Sequence, residues 1–335
     1  MTGRERFGGV GRGGDFLVRV FDDLFICRPN TSVCNLLRRV ADDSYSFLGR
    51  SGMSDFGTIT DPAREIADLG ETLFAIPPSD QPTFNVLAGA IGLPVETSEF
   101  LLTLAGASRR IEGLSEYVRT TTHGDVGTRS RTQALEALGR LGQPFRPAFF
   151  ARPWREVHSN FIQGIDIAAM EMFSAHMRHV QPLRRLSDEE RTRLLSAIDD
   201  AIADTVAQSD LREWMKAPLL DGLRQLRLIV QHIAFFGHGR AIDDLFNLSS
   251  TVEAVQAAAQ ADAMASGATD AGRLFVKVLQ VLVFAGALFT VADQSMTALD
   301  RYKGWMVPLI ARPDTVASET LLLPPPDGGG TPGAQ

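Results

Sequence analysis

The stretch RLFVKVLQVLVFAGALFTVA, from Arg273 to Ala292, is the longest apolar run in this 335-residue chain. A helix that spans a bilayer needs about twenty mostly apolar residues. Leu274 to Ala292 supplies nineteen, with Lys277 and Gln280 among them. A charge at the bilayer centre costs roughly 2.5–3.5 kcal/mol, although a lysine near one end can snorkel. Arg273, Lys277 and Gln280 recur at helical spacing and so line one side. The part that is apolar all round is Val281 to Ala292, a length that suits a helix buried in protein. The expected protein is therefore all-α: a small N-terminal helical unit followed by a C-terminal antiparallel helical bundle around this central apolar helix.

The segments before the stretch carry the amphipathic periods such a bundle needs. Over Trp154 to Val180 a wheel at about 100° per residue puts Phe161, Ile162, Ile165, Ala169, Met172, Phe173 and Val180 on one face. Ser187-Asp-Glu-Glu190 is a capping box, opening a helix with Leu194, Leu195, Ile198, Ile202 and Val206 on one side. Ser209-Asp210 caps the next segment, and Pro218 is expected to bend or restart the chain before a helix over Leu219 to Phe236. Gly237 is a natural terminator. An Ala-rich helix, 241–265, then leads into the opening stretch.

Further upstream, Gly142 and QPFRPAFFARP (143–153), with three prolines, predict a linker. This divides the chain into a Gly/Arg-rich lead-in (1–15), an N-terminal helical domain (16–142), the linker, a bundle (154–312) and a disordered tail (313–335). Within the N-terminal part, residues 16–27 and 33–47 each carry an apolar stripe, and GRSGMSDFG (49–57) reads as a loop. Asp61-Pro62 opens a further helix to about Ala75. Three short helices follow, over 83–91, 97–105 and 109–119. Leu87-Ala88-x-x-Ile91-Gly92-Leu93 has the form of the start of a helix-turn-helix. Asp61 to Thr122 nevertheless holds nine acidic residues against four arginines, which repels phosphate, so no DNA is expected.

Composition narrows the function classes further. Apolar residues make up 44%, charged residues 22%, and the formal charge is −7, so no field attracts nucleic acid or anionic lipid. Two cysteines, Cys27 and Cys34, make neither a disulfide framework nor a four-thiolate zinc site. With no apolar leader in the first fifteen residues, a cytoplasmic protein is expected. Gly9-x-Gly11-x-x-Gly14 matches the dinucleotide fingerprint but lacks a preceding strand. The wheel separates Asp166, Glu171, His176 and His179, so no metal site is expected there, and no cofactor is implied.

One motif points to chemistry. Arg227-Leu-Ile-Val-Gln-His232 is R-x4-H on a helix, and these six residues resemble the signature of HEPN-type ribonucleases. That resemblance implies a metal-independent RNase with Arg227 and His232 as catalytic residues, acting on RNA as a stress or phage-defence effector. In that family the residue after the arginine is commonly polar, whereas here it is Leu228. On an ideal helix the two side chains point about 140° apart, so they would need irregular geometry or pairing between subunits to meet. The amphipathic helices without convergent polar groups favour a different expectation: a non-catalytic interaction or scaffold module with a protein partner or a second copy of itself. A further alternative is a membrane-associated effector that inserts Leu274–Ala292 into lipid.

Overall fold

A computed structural model describes residues 59–120, 127–266 and 275–289. The expectations for residues 1–58, 121–126, 267–274 and 290–335 lie outside the described residues. These include the lead-in, the two cysteines, Arg273 and the tail. Twelve α-helices and one short antiparallel strand pair make up the described residues, and the chain is all-α.

In order these are β1 (Ile59–Thr60), α1 (Pro62–Phe74), α2 (Thr83–Ile91), α3 (Ser98–Thr120), α4 (Thr128–Leu141), α5 (Pro147–Phe150) and α6 (Trp154–Phe161). Then come α7 (Gly164–Val180), β2 (Leu183–Arg184), α8 (Asp188–Ala207), α9 (Glu213–Gln231), α10 (Ile233–Phe236), α11 (His238–Ser266) and α12 (Val276–Phe289). Ile59 pairs with Arg184 and Thr60 with Leu183, which ties the start of α1 to the end of α7.

Local signals place several helix ends where the sequence puts them. Asp61 sits in extended conformation and accepts from the backbone N–H of Ala63 and Arg64, with Pro62 at the first helical position. Its second oxygen accepts from the Ser174 hydroxyl at 2.5 Å, so the cap also pins α1 to α7. The Ser187 capping box closes in both directions, at 3.2 and 2.9 Å. Gly92 ends α2 in the left-handed region at φ 79°.

Two apolar cores form. The first runs from Ala63 to Met177 and takes in Phe235; the second runs from Leu186 to Phe289. Residues 143–153, expected as a linker, are folded into the first core. A 3-10 turn (Gln143–Phe145) buries Phe145, α5 follows, and Pro82 bridges Pro153. Trp154, fully buried, also belongs to that core. The helix α7, expected at the head of the bundle, packs on α1 and α4 instead.

Three further expectations change. The two short helices over 97–105 and 109–119 are one continuous helix, α3, whose stripe Phe100, Leu104, Ala107, Ile111, Leu114 and Val118 is buried throughout. Gly106 makes room inside this helix for Phe236, whose ring would stand 2.4 Å from an added Cβ. Pro218 lies inside α9 without ending it; its missing N–H removes one bond near the start of the helix. Third, Trp154–Val180 is two helices. Ile162 and Gln163 leave helical conformation, at ψ 86° and 141°, which resets the phase of everything after them. The buried face of α7 is then Asp166, Ile167, Met170, Phe173, Ser174 and Met177. Ile165 and Met172, which the wheel sends inward, are 72% and 73% exposed.

The stretch that decides the fold is α12, wrapped by α8 and α11. Phe275, Val278, Val281, Leu282, Ala285, Leu288 and Phe289 are buried, whereas Lys277 faces outward. Its fourteen residues extend about 21 Å at 1.5 Å per residue. No helix among the described residues is long and apolar enough to cross a membrane.

Candidate functional site

Burying a charge requires a partner and hydrogen bonds, and one cluster between the two cores supplies an ion pair and most of those bonds. Glu65 of α1, Arg110 of α3 and His238 at the start of α11 are each less than a tenth exposed. Arg110 Nη2 donates to Glu65 Oε2 at 3.1 Å, and its Nη1 donates to the Ala234 and Phe235 carbonyls at 3.0 and 3.3 Å. Glu65 Oε1 lies 2.5 Å from His238 Nδ1 and also accepts the His238 backbone N–H at 3.2 Å. The Leu186 backbone N–H points at His238 Nε2, 3.0 Å away. An amide only donates, so Nε2 accepts and the imidazole proton sits on Nδ1, where it donates to Glu65.

The chain between α10 and α11 is shaped to fit this cluster. Gly237 has φ 81°, a conformation that L side chains rarely adopt. A Cβ there would stand 2.8 Å from both Arg110 Nε and Glu65 Oε2. Burial opposes the Glu65 charge, but the Arg110 guanidinium and the His238 hydrogen bonds outweigh it and hold the carboxyl below its ordinary range. Burial pulls Arg110 down, with Glu65 and Asp68 opposing. Apart from Arg110 Nε, which is buried with no hydrogen-bond partner among the described residues, the donors and acceptors of the three side chains named above point at one another and at backbone. Such an arrangement joins α1, α3, α10, α11 and the β2–α8 turn; it has the makings of a lock rather than of a reactive centre.

The residues singled out in the sequence sit elsewhere. Arg227 lies on the α8 side of α9, where its Nε donates to Asp199 at 2.6 Å and its Nη1 to Gln231 at 2.9 Å. His232 ends α9 and is buried; no hydrogen bond is found for its Nε2 among the described residues. Burial, and then the charges of Arg191 and Arg227, push the His232 pKa down, which keeps the ring neutral. Arg227 and His232 share no hydrogen bond within the described chain.

The acidic residues weighed as metal ligands have other partners. Asp166, buried at the start of α7, takes a bidentate Arg140 with its Nε 2.9 Å from both oxygens. Glu171 accepts from Arg64 at 2.5 Å. Among the described residues no three His, Cys, Asp or Glu side chains are placed to hold a metal ion together.

What the sequence reading missed is the outer side of α7. Ile165, Ala168, Met172, Ala175 and His179 are all exposed and follow a three-four spacing along one line of the helix. Arg140 on Asp166, Ser174 on Asp61 and Arg64 on Glu171 hold the helix from behind. The signal that could have found this face is the buried polar pair Asp166 and Ser174, eight residues apart, opposite the apolar line. No family model matches the chain, and neither a curated protein nor a solved structure matches it.

Proposed function

We propose that this chain is a helical protein-interaction or scaffold module whose working surface is the outward face of α7. The observation that carries the reading is the exposure of Ile165 and Met172, each nearly three-quarters open to solvent, on a helix fastened by ion pairs to its own core. Large apolar side chains repeated on one rigid face are the chemistry of a protein contact. The mutual pairing of Glu65 with Arg110 and His238 supports a structural rather than catalytic role for the buried charges. Two cysteines in 335 residues and the acidic balance support a cytoplasmic location.

A photo-crosslinking residue placed at Met172 in living cells tests the reading, with the same residue at exposed Lys277 on α12 as control. Adducts from position 172 and none from 277 are expected. Silence at 172 would remove the interaction reading.

The ribonuclease reading has one observation in its favour, the buried, neutral His232 whose Nε2 lacks a partner among the described residues. A neutral imidazole close to an arginine suits general-base work on an RNA hydroxyl. Arg227→Ala and His232→Ala should each abolish RNA cleavage on this reading; a wild-type chain that cleaves no RNA ends it.

A further inference from the structure

The exposed line of α7 has a property that a generic sticky patch would not have: it is complementary to itself when turned end to end. Ile165, Ala168, Met172, Ala175 and His179 alternate steps of three and four, the spacing of a helix–helix seam. Beside the seam, seven residues apart, stand one acid and one base, Glu171 and Arg178, both exposed. Arg178 has no hydrogen bond or ion pair among the described residues, and Glu171 shares one oxygen with Arg64 while 40% of its side chain stays exposed.

We propose that two copies of this chain pair through α7 in antiparallel fashion, about a two-fold axis between Phe173 and Ser174. In that register Met172 of each copy lies over Ala175 of the other, so a large side chain meets a small one. Ala168 likewise meets His179. Glu171 then faces the second copy's Arg178, and symmetry repeats the pair at the other end of the same edge. A parallel pairing would instead put Glu171 and Arg178 of one copy on one edge and those of the second copy on the opposite edge, so neither Glu171 would face an Arg178 of the other copy. The charge order therefore selects the antiparallel form. The seam covers four turns, about 21 Å of helix. That area belongs with weak contacts below about 1,200 Å², so dissociation in the micromolar range follows. The pairing rests on reading α7 as an interaction surface and names the partner as a second copy.

Sedimentation equilibrium of the full chain tests this, with Met172→Glu, Arg178→Glu and the exchanged pair Glu171→Arg/Arg178→Glu beside the wild type. Thermal melts of each variant control for the loss of the Arg64 contact. The wild type should dimerise at micromolar concentration, Met172→Glu should be monomeric, and Arg178→Glu should weaken the dimer about tenfold. The exchanged pair should regain most of that loss. A wild type that remains monomeric at hundreds of micromolar overturns the proposal. So does a dimer indifferent to Met172→Glu, or an exchange that restores nothing. A monomer that still crosslinks from position 172 to another protein would end the self-pairing and leave the interaction reading standing. A monomer silent at 172 would end both.

Discussion

Helices α7 and α12 carry similar apolar side chains and meet opposite fates. The α12 helix is apolar over most of its circumference, and α8 and α11 close over it. The α7 helix has two faces of different kinds: one buries Met170, Phe173 and Met177 together with the polar Asp166 and Ser174, and the other leaves Ile165 and Met172 in water. Apolar character alone does not say which side chains the fold uses. In α7 the buried polar residues decide the orientation, because Asp166 and Ser174 have partners, Arg140 and Asp61, on one side. An unpaired buried carboxylate would cost several kcal/mol, more than the burial of one isoleucine or methionine returns.

The same substitution in the two helices sharpens the contrast. Leu282→Glu puts an unpaired charge among α8 and α11 and should cost about 4–5 kcal/mol, read in the urea unfolding midpoint. An unchanged midpoint would mean that α12 is not enclosed as described. The lock between the cores comes next. Glu65→Ala leaves Arg110 buried without its carboxylate and should cost about 3–5 kcal/mol. If the loss stays below about 1 kcal/mol, the cluster does not hold the cores together.

Acid should loosen the two regions over different pH ranges. The Glu65 pKa is lower folded than unfolded, so its stabilisation is complete above about pH 4.3 and is lost as pH falls through the folded value. His232 is also depressed in the folded chain. The unfolded chain therefore takes up its proton first, and stability declines once pH drops below about 6.5. Replacing His232 with glutamine should flatten the decline just below neutrality, and Glu65→Gln should flatten the steeper one near pH 4. Unfolding free energies measured from pH 7 to 3 would show whether each substitution removes its own segment. The smallest effect belongs to Met172→Glu, which should change unfolding free energy by no more than about 0.5 kcal/mol. A large loss there would place Met172 inside the fold.

Features fixed by a few neighbouring residues were legible in the sequence. Asp61-Pro62 and the Ser187 capping box depend on bonds made within four residues, and each starts a helix as expected; Gly237 closes the helical run at Phe236, but the helix expected over 219–236 breaks at His232. The all-α class followed from helical periods along the chain. The face of α7 did not, since two non-helical residues, Ile162 and Gln163, shift the wheel, and no proline marks them. The continuity of α3 was hidden behind Gly106, whose lack of a side chain serves Phe236, 130 positions away in the sequence. The lock was less visible still. Glu65 and His238 are 173 residues apart, and neither stands in a motif. Gly237 marked a helix end, but nothing beside it revealed that the turn also makes room for a buried ion pair.

Three methionines on one helix allow the orientation of α7 to be measured without altering it. Met170 and Met177 are fully buried, and Met172 between them is 73% exposed. Peroxide oxidation of the full-length Arg178→Glu chain, in which self-pairing is weakened, can be followed residue by residue by mass spectrometry. Thioether oxidation follows access to solvent. Met172 sulfoxide should form well before either neighbour is touched, because α7 turns that side outward. Protection of Met172 to the same degree as Met170 and Met177 would contradict the account, and would return the apolar face of α7 to the interior.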